Sequence, residues 1–177
     1  MRLSKIGPVL ALTLLACGRT PPAPVNTMLL RLDAPWMYPS ADAGRRVRTA
    51  AATIVVFRAS TEYVELHCWL IEHPDETLYI SSREPRVVVL GSWKQKRSEL
   101  QVTRTRVARS VPVNAPVDPL CSESHLTFRI TGNSVTGNAG ESGEGIYSPV
   151  TRLVSPDFES YVDQARRSPV TCGEDKK

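Results

Sequence analysis

The chain has little of what marks most metalloenzymes and nucleotide binders. Of its 177 residues only three are histidine and four cysteine, so cages of imidazole and thiolate have few places to form. Aromatic residues make up 6% of the chain, which predicts a modest and mainly aliphatic core. No apolar run approaches the roughly 20 residues that a helix needs to cross about 30 Å of hydrocarbon, and a membrane-spanning helix is excluded. The Gly-x-Ser-x-Gly elbow that exposes a serine nucleophile between strand and helix is missing. Glycine-rich "GNAGESGEG" at 137–145 lacks a terminal Lys-Ser or Lys-Thr and opens no helix, so no amide dipoles gather there around a phosphate. No cofactor is expected.

Net charge is also slight. The chain carries 22 basic and 18 acidic residues; without Arg2 and Lys5, which precede Cys17, 20 bases face 18 acids. A balance of +2 is no footprint for nucleic acid. The charges are nevertheless segregated. Residues 61–82 hold Glu62, Glu65, Glu72, Asp75 and Glu76 and no Lys or Arg, whereas 83–109 hold eight bases against Glu84 and Glu99. One explanation is cross-strand pairing on a solvated face. The other is a basic stripe of Lys94, Lys96, Arg97, Arg104, Arg106 and Arg109 facing an anionic envelope component or another envelope protein.

What is present is clearest at the start. Arg2 and Lys5 are followed by mostly apolar residues from Ile6 to Ala16 and then by Cys17, the layout of a signal peptide. Leu14-Leu15-Ala16-Cys17 resembles the lipobox of bacterial lipoproteins, in which a small residue precedes a cysteine that becomes the lipidated first residue of the mature chain. The resemblance implies removal of residues 1–16, a diacylglyceryl thioether on Cys17, and anchoring by two or three acyl chains, each buried CH₂ contributing about 0.8 kcal/mol. Gly18 stands where inner-membrane lipoproteins of Gram-negative bacteria typically carry Asp, so the resemblance also implies the outer membrane. An exported chain meets an oxidising compartment. Cys68, Cys121 and Cys172 then remain, and an odd number cannot all pair internally. Cys68 shares a strand face with Leu66 and Leu70 and is the candidate free thiol. Cys121 and Cys172 are the candidate disulfide; three reduced thiols or a pairing of Cys68 stay open.

Beyond the signal, residues 17–49 read as a lipidated terminus with a proline-rich tether and loop, 50–170 as one β-rich domain, and 171–177 as a polar tail. Met28 to Leu32 is expected as a short edge strand. In "TEYVELHCWLIEH" alternation puts Val64, Leu66, Cys68 and Leu70 on one face, Tyr63, Glu65, His67 and Trp69 on the other. In "ELQVTRTRVA" Leu100 and Val102 share a phase that Val107 does not, which predicts a bulge near Thr103 to Thr105. Gly132-Asn133 predicts a tight hairpin. "SPDFESYVDQARRS" predicts a helix over 156–167 with Ser155 as N-cap and Pro156 at its first position. These elements define a small antiparallel sheet or partly closed β-barrel of six to eight strands with one C-terminal helix.

Glu65, His67 and His73 are the nearest thing to a metal set, but the two histidines lie about 20 Å apart along an extended strand. Solvent-facing polar residues are the expected reading, with no metal site and no catalytic residue named. "SGEGIYS" at 142–148 loosely resembles the Ser-Gly-x-Gly-x-x-Tyr loop of membrane-bound inhibitors of c-type lysozyme, with Tyr147 one residue early and the family's Trp-x-Lys-Gly stretch missing. The expected function is a lipid-anchored envelope protein with a binding or structural domain. The alternatives are a loop-presenting inhibitor of an envelope or secreted hydrolase, and an enzyme whose site is assembled across strands.

Overall fold

The computed structural model describes residues 20–38, 47–82, 86–109, 124–139, 143–167 and 172. Along them run β1 (Met28–Leu32), β2 (Arg48–Phe57), β3 (Glu62–Glu72), β4 (Leu78–Ile80), β5 (Val87–Lys96), β6 (Glu99–Arg109), β7 (His125–Thr131), β8 (Ser134–Gly137), β9 (Gly145–Pro149), β10 (Leu153–Val154) and the helix α1 (Phe158–Arg166). Eight strands close a ring: β1, β2, β3, β5, β6, β7, β8 and β9 pair antiparallel in that order, and β9 returns to β1. The fold is mainly β, a closed eight-stranded antiparallel barrel with one C-terminal helix. β4 and β10 lie outside the ring, parallel to each other, with β4 also paired to the end of β3. The first strand is not an edge. Closure sets β1 between β2 and β9, which satisfies both of its sides.

Short turns join the strands at one end of the barrel. Gly132, with φ of +64°, takes the first central position of the β7–β8 turn between Thr131 and Ser134, where a type II′ hairpin favours glycine. At the other end the strands are separated by longer stretches of sequence, 33–47, 73–86, 110–124 and 138–144. The expected bulge is present: β5 and β6 step from Leu90↔Arg106 to Gly91↔Arg104, leaving Thr105 as the extra residue. Gly91 makes that step possible. A Cβ there would lie 2.3 Å from the Thr103 carbonyl oxygen.

β3 is buried on both faces, and this reverses the expected reading of its alternation. Val64, Leu66, Cys68 and Leu70 point outward, where with Ile54, Val56 and Leu90 they share one apolar cluster with Leu78 and with Phe158, Val162 and Ala165 of α1. Tyr63 and Glu65 point into the barrel. The interior is filled at the short-turn end by Phe57, Tyr63, Leu100, Phe128 and Tyr147. Away from α1 the wall faces water: β7 alternates strictly, with Leu126, Phe128 and Ile130 inside and His125, Thr127, Arg129 and Thr131 exposed. Among the described residues no helix is long and apolar enough to cross a membrane.

Two local expectations need correction. α1 begins after Asp157, which makes no side-chain cap; Ser155 instead accepts the Phe158 amide through its carbonyl in a preceding turn. The described part of the proline-rich stretch is no free tether. Val25 bridges Phe57, the Asn26 amide donates to the Phe57 carbonyl at 2.8 Å, and Gln95 Nε2 donates to the Pro21 carbonyl at 2.8 Å. Ala23 packs on the interior aromatic cluster. Residues 20–27 are therefore docked against the short-turn end.

Candidate functional site

Above the aromatic layer, toward the long connections, the interior turns polar. Glu65 on β3 is fully buried, and Arg104 on β6 is 2% exposed. Gly91 lies between them on β5, opposite both Tyr63 and Arg104, and having no side chain it leaves room for the guanidinium to reach β3. Arg104 Nη2 donates to Glu65 Oε1 at 2.7 Å and to Oε2 at 2.8 Å, and Nε donates to Oε2 at 3.0 Å. Tyr63 donates its hydroxyl to Oε2 at 2.9 Å, and His67 Nε2 lies 2.5 Å from Oε1.

From His67 the network runs to the rim. Its Nδ1 lies 3.1 Å from Thr53 Oγ1, which donates to Asp33 Oδ2 at 2.7 Å. Asp33 Oδ1 accepts from Arg31 Nε at 2.9 Å and Nη2 at 2.7 Å. Arg31 Nη1 donates to the Gly143 carbonyl at 2.5 Å, and the guanidinium carbon sits 5.1 Å from the centre of the Tyr147 ring. Arg31 needs the space it takes. A Cβ on Gly145 would fall 2.4 Å from its Cδ. Tyr147 in turn donates its hydroxyl to the Ala139 carbonyl at 2.9 Å.

Burial alone would raise the Glu65 carboxyl, but the hydrogen bond and charge of His67, the Arg104 guanidinium and the Tyr63 hydroxyl outweigh it and hold the group below the usual carboxylate range. Tyr63 is driven well above its ordinary value by burial and then by the Glu65 charge. The carboxylate is thus ionised and surrounded by donors. Both ring nitrogens of His67 are thus engaged, Nε2 beside the Glu65 carboxylate and Nδ1 beside the Thr53 hydroxyl.

The structure joins Glu65 and His67 but not His73, whose ring instead meets Tyr79 edge-on at 4.9 Å. His73 is exposed as expected, whereas Glu65 is buried inside the barrel and His67 is half-buried beside it, and among the described residues no group of three or more His, Cys, Asp or Glu could hold a metal. The candidate basic stripe divides three ways. Arg104 is inside the barrel, Lys94, Lys96 and Arg97 are exposed around the β5–β6 turn, and Arg106 and Arg109 lie toward the other end of β6. Apart from Arg104, the acids of 61–82 find partners elsewhere: Glu62 pairs with Arg58 and Arg166, Glu72 with Arg48, and Glu76 with Arg152. Cys68 is free and buried, with its thiol pushed up to about 12 chiefly by burial. Cys172 is disulfide-bonded; Cys121 and Cys17 lie outside the described residues.

Arg31, Asp33 and Thr53 are members that sequence reading missed, because "RLDAP" follows an apolar clutch without a recognisable motif. Arg104 did leave a signal. It falls in phase with Leu100 and Val102, so an arginine on that face must enter the barrel and meet an acid there. Fold and site together define a class: a closed antiparallel barrel whose interior is filled by side chains, as eight strands permit. Comparison with protein-family models, curated proteins and solved structures finds no match for this chain.

Proposed function

We propose that the chain is a lipid-anchored protein of the bacterial cell envelope, in the outer membrane, whose barrel is a rigid stand for binding at its long-loop end. The state of the cysteines carries this reading. Cys17 ends a short apolar run after Leu-Leu-Ala, and the disulfide at Cys172 belongs to the chemistry of exported chains. Binding rather than catalysis fits an interior in which Glu65 and His67 are saturated with partners. At the long-loop end Met37 is 47% exposed and Tyr38 72%, the kind of side chains that anchor protein interfaces.

The loop-presenting inhibitor is the second reading, and one observation favours it. The β8–β9 loop is held at both flanks, at Ala139 by Tyr147 and at Gly143 by Arg31. A loop so fixed loses less entropy on docking. Feeding cells an alkyne fatty acid tests the anchor: wild type should incorporate label and sediment with membranes, and Cys17→Ser should do neither. Equal labelling of the two would overturn it.

A further inference from the structure

We propose that the short-turn end of the barrel lies on anionic lipid headgroups, docked through Lys94, Lys96 and Arg97, with the long-loop end turned away from the membrane. The inference rests on the lipid anchor at Cys17. Its structural part is the docked N-terminal segment: Gln95, between the two lysines, holds the Pro21 carbonyl at 2.8 Å. Only three residues, Gly18 to Thr20, lie between Cys17 and Pro21, and the four residue steps reach at most about 14 Å at 3.3–3.6 Å per residue. The acyl chains therefore enter the membrane beside this end. β3 is 11 residues long, and at the usual barrel tilt it carries the opposite end roughly 25–30 Å further. The short leash cannot bring that end down.

Charge suits the placement. Lys94, Lys96 and Arg97 are all exposed, and their nearest cross-strand acid, Glu99, is shared between Lys96 and Arg129. Lys94, Lys96, Arg97 and Arg129 thus flank one acid around the β5–β6 turn, while Glu62 and Glu159 beside the neighbouring β2–β3 turn are paired with Arg58 and Arg166. A juxtamembrane base close to an anionic surface strengthens partition about fivefold, and all of these lie within one or two Debye lengths of about 10 Å. Arg106 and Arg109 lie toward the far end and take no part.

Chemistry supplies the test, because the mature chain has only four lysines, Lys94, Lys96, Lys176 and Lys177. The purified full mature protein is placed in vesicles of phosphatidylcholine with or without 30 mol% phosphatidylglycerol and treated with a water-soluble amine-acetylating reagent. Intact mass first reports the acyl chains. Lys94 and Lys96 are expected to react several-fold more slowly on the anionic vesicles, with Lys176 and Lys177 as references and 1 M salt abolishing the difference. In an Arg97→Glu variant the protection should shrink while acylation persists. A chain without acyl mass overturns the anchor and the docking with it. An acylated chain whose Lys94 and Lys96 react equally on both vesicles overturns the docking alone.

Discussion

Glu65 and Arg104 set two full charges in the barrel interior, the pair meeting at 2.7 Å with side chains no more than 1% exposed. Such a pair is a poor source of net stability, since desolvation offsets most of the attraction, but breaking it strands a charge. Glu65→Gln should therefore lower the unfolding free energy in urea by about 3–5 kcal/mol. Replacing both partners with Met and Leu should recover much of the loss. The pH dependence has a definite sign. Because the folded carboxyl is held below its ordinary value, its contribution is complete above about pH 4.3 and falls away as pH drops through the lower folded value. Wild type should then lose stability on acidification more steeply than Glu65→Gln, read from urea midpoints between neutral pH and pH 3. Gly91→Ala acts on the same pair. Its methyl would press on the Thr103 carbonyl, and a loss of about 1–3 kcal/mol is expected from the forced shift.

The helix decides which strand faces are apolar, and here the limits of the sequence become physical. Alternation reports that two faces of a strand differ; it does not report which one looks inward. β7 has one wet face, so Leu126, Phe128 and Ile130 identify the interior. β3 has none, because its outer side is buried in the apolar cluster that Phe158, Val162 and Ala165 of α1 complete together with Leu78. Its apolar face was legible as buried and its polar face was misread as solvated. The Thr105 bulge and the Gly132 turn were legible, since a phase break and a glycine at a turn each have a local cause. The rim residues of the network were not, because Arg31 and Gly143 meet only through barrel closure. Phe158→Ala should cost about 3–5 kcal/mol and speed hydrogen exchange in β2 and β3 more than in β7, as their outer faces lose cover.

At the scale of the whole molecule, the four cysteines have to be assigned together. Cys68 is free and buried in the outer apolar cluster. Cys172 is disulfide-bonded, its amide donates to the carbonyl of the bulge residue Thr105 at 2.9 Å, and it packs on Val89 and Val107. If Cys17 carries lipid, its sulfur forms a thioether and only Cys121 remains as a partner. The lipid and the disulfide are thus one hypothesis in two places. Closing about 51 residues between 121 and 172 would contribute roughly 4 kcal/mol in the chain-entropy account, and the bond would tie the C-terminal tail to the connection between β6 and β7. Unreduced peptides from the mature protein should contain a Cys121–Cys172 linkage and an unmodified Cys68, and reduction should lower the thermal midpoint while leaving the acyl mass on Cys17. A Cys17–Cys172 linkage would refute both assignments together, since a sulfur in a disulfide cannot also hold a diacylglyceryl group.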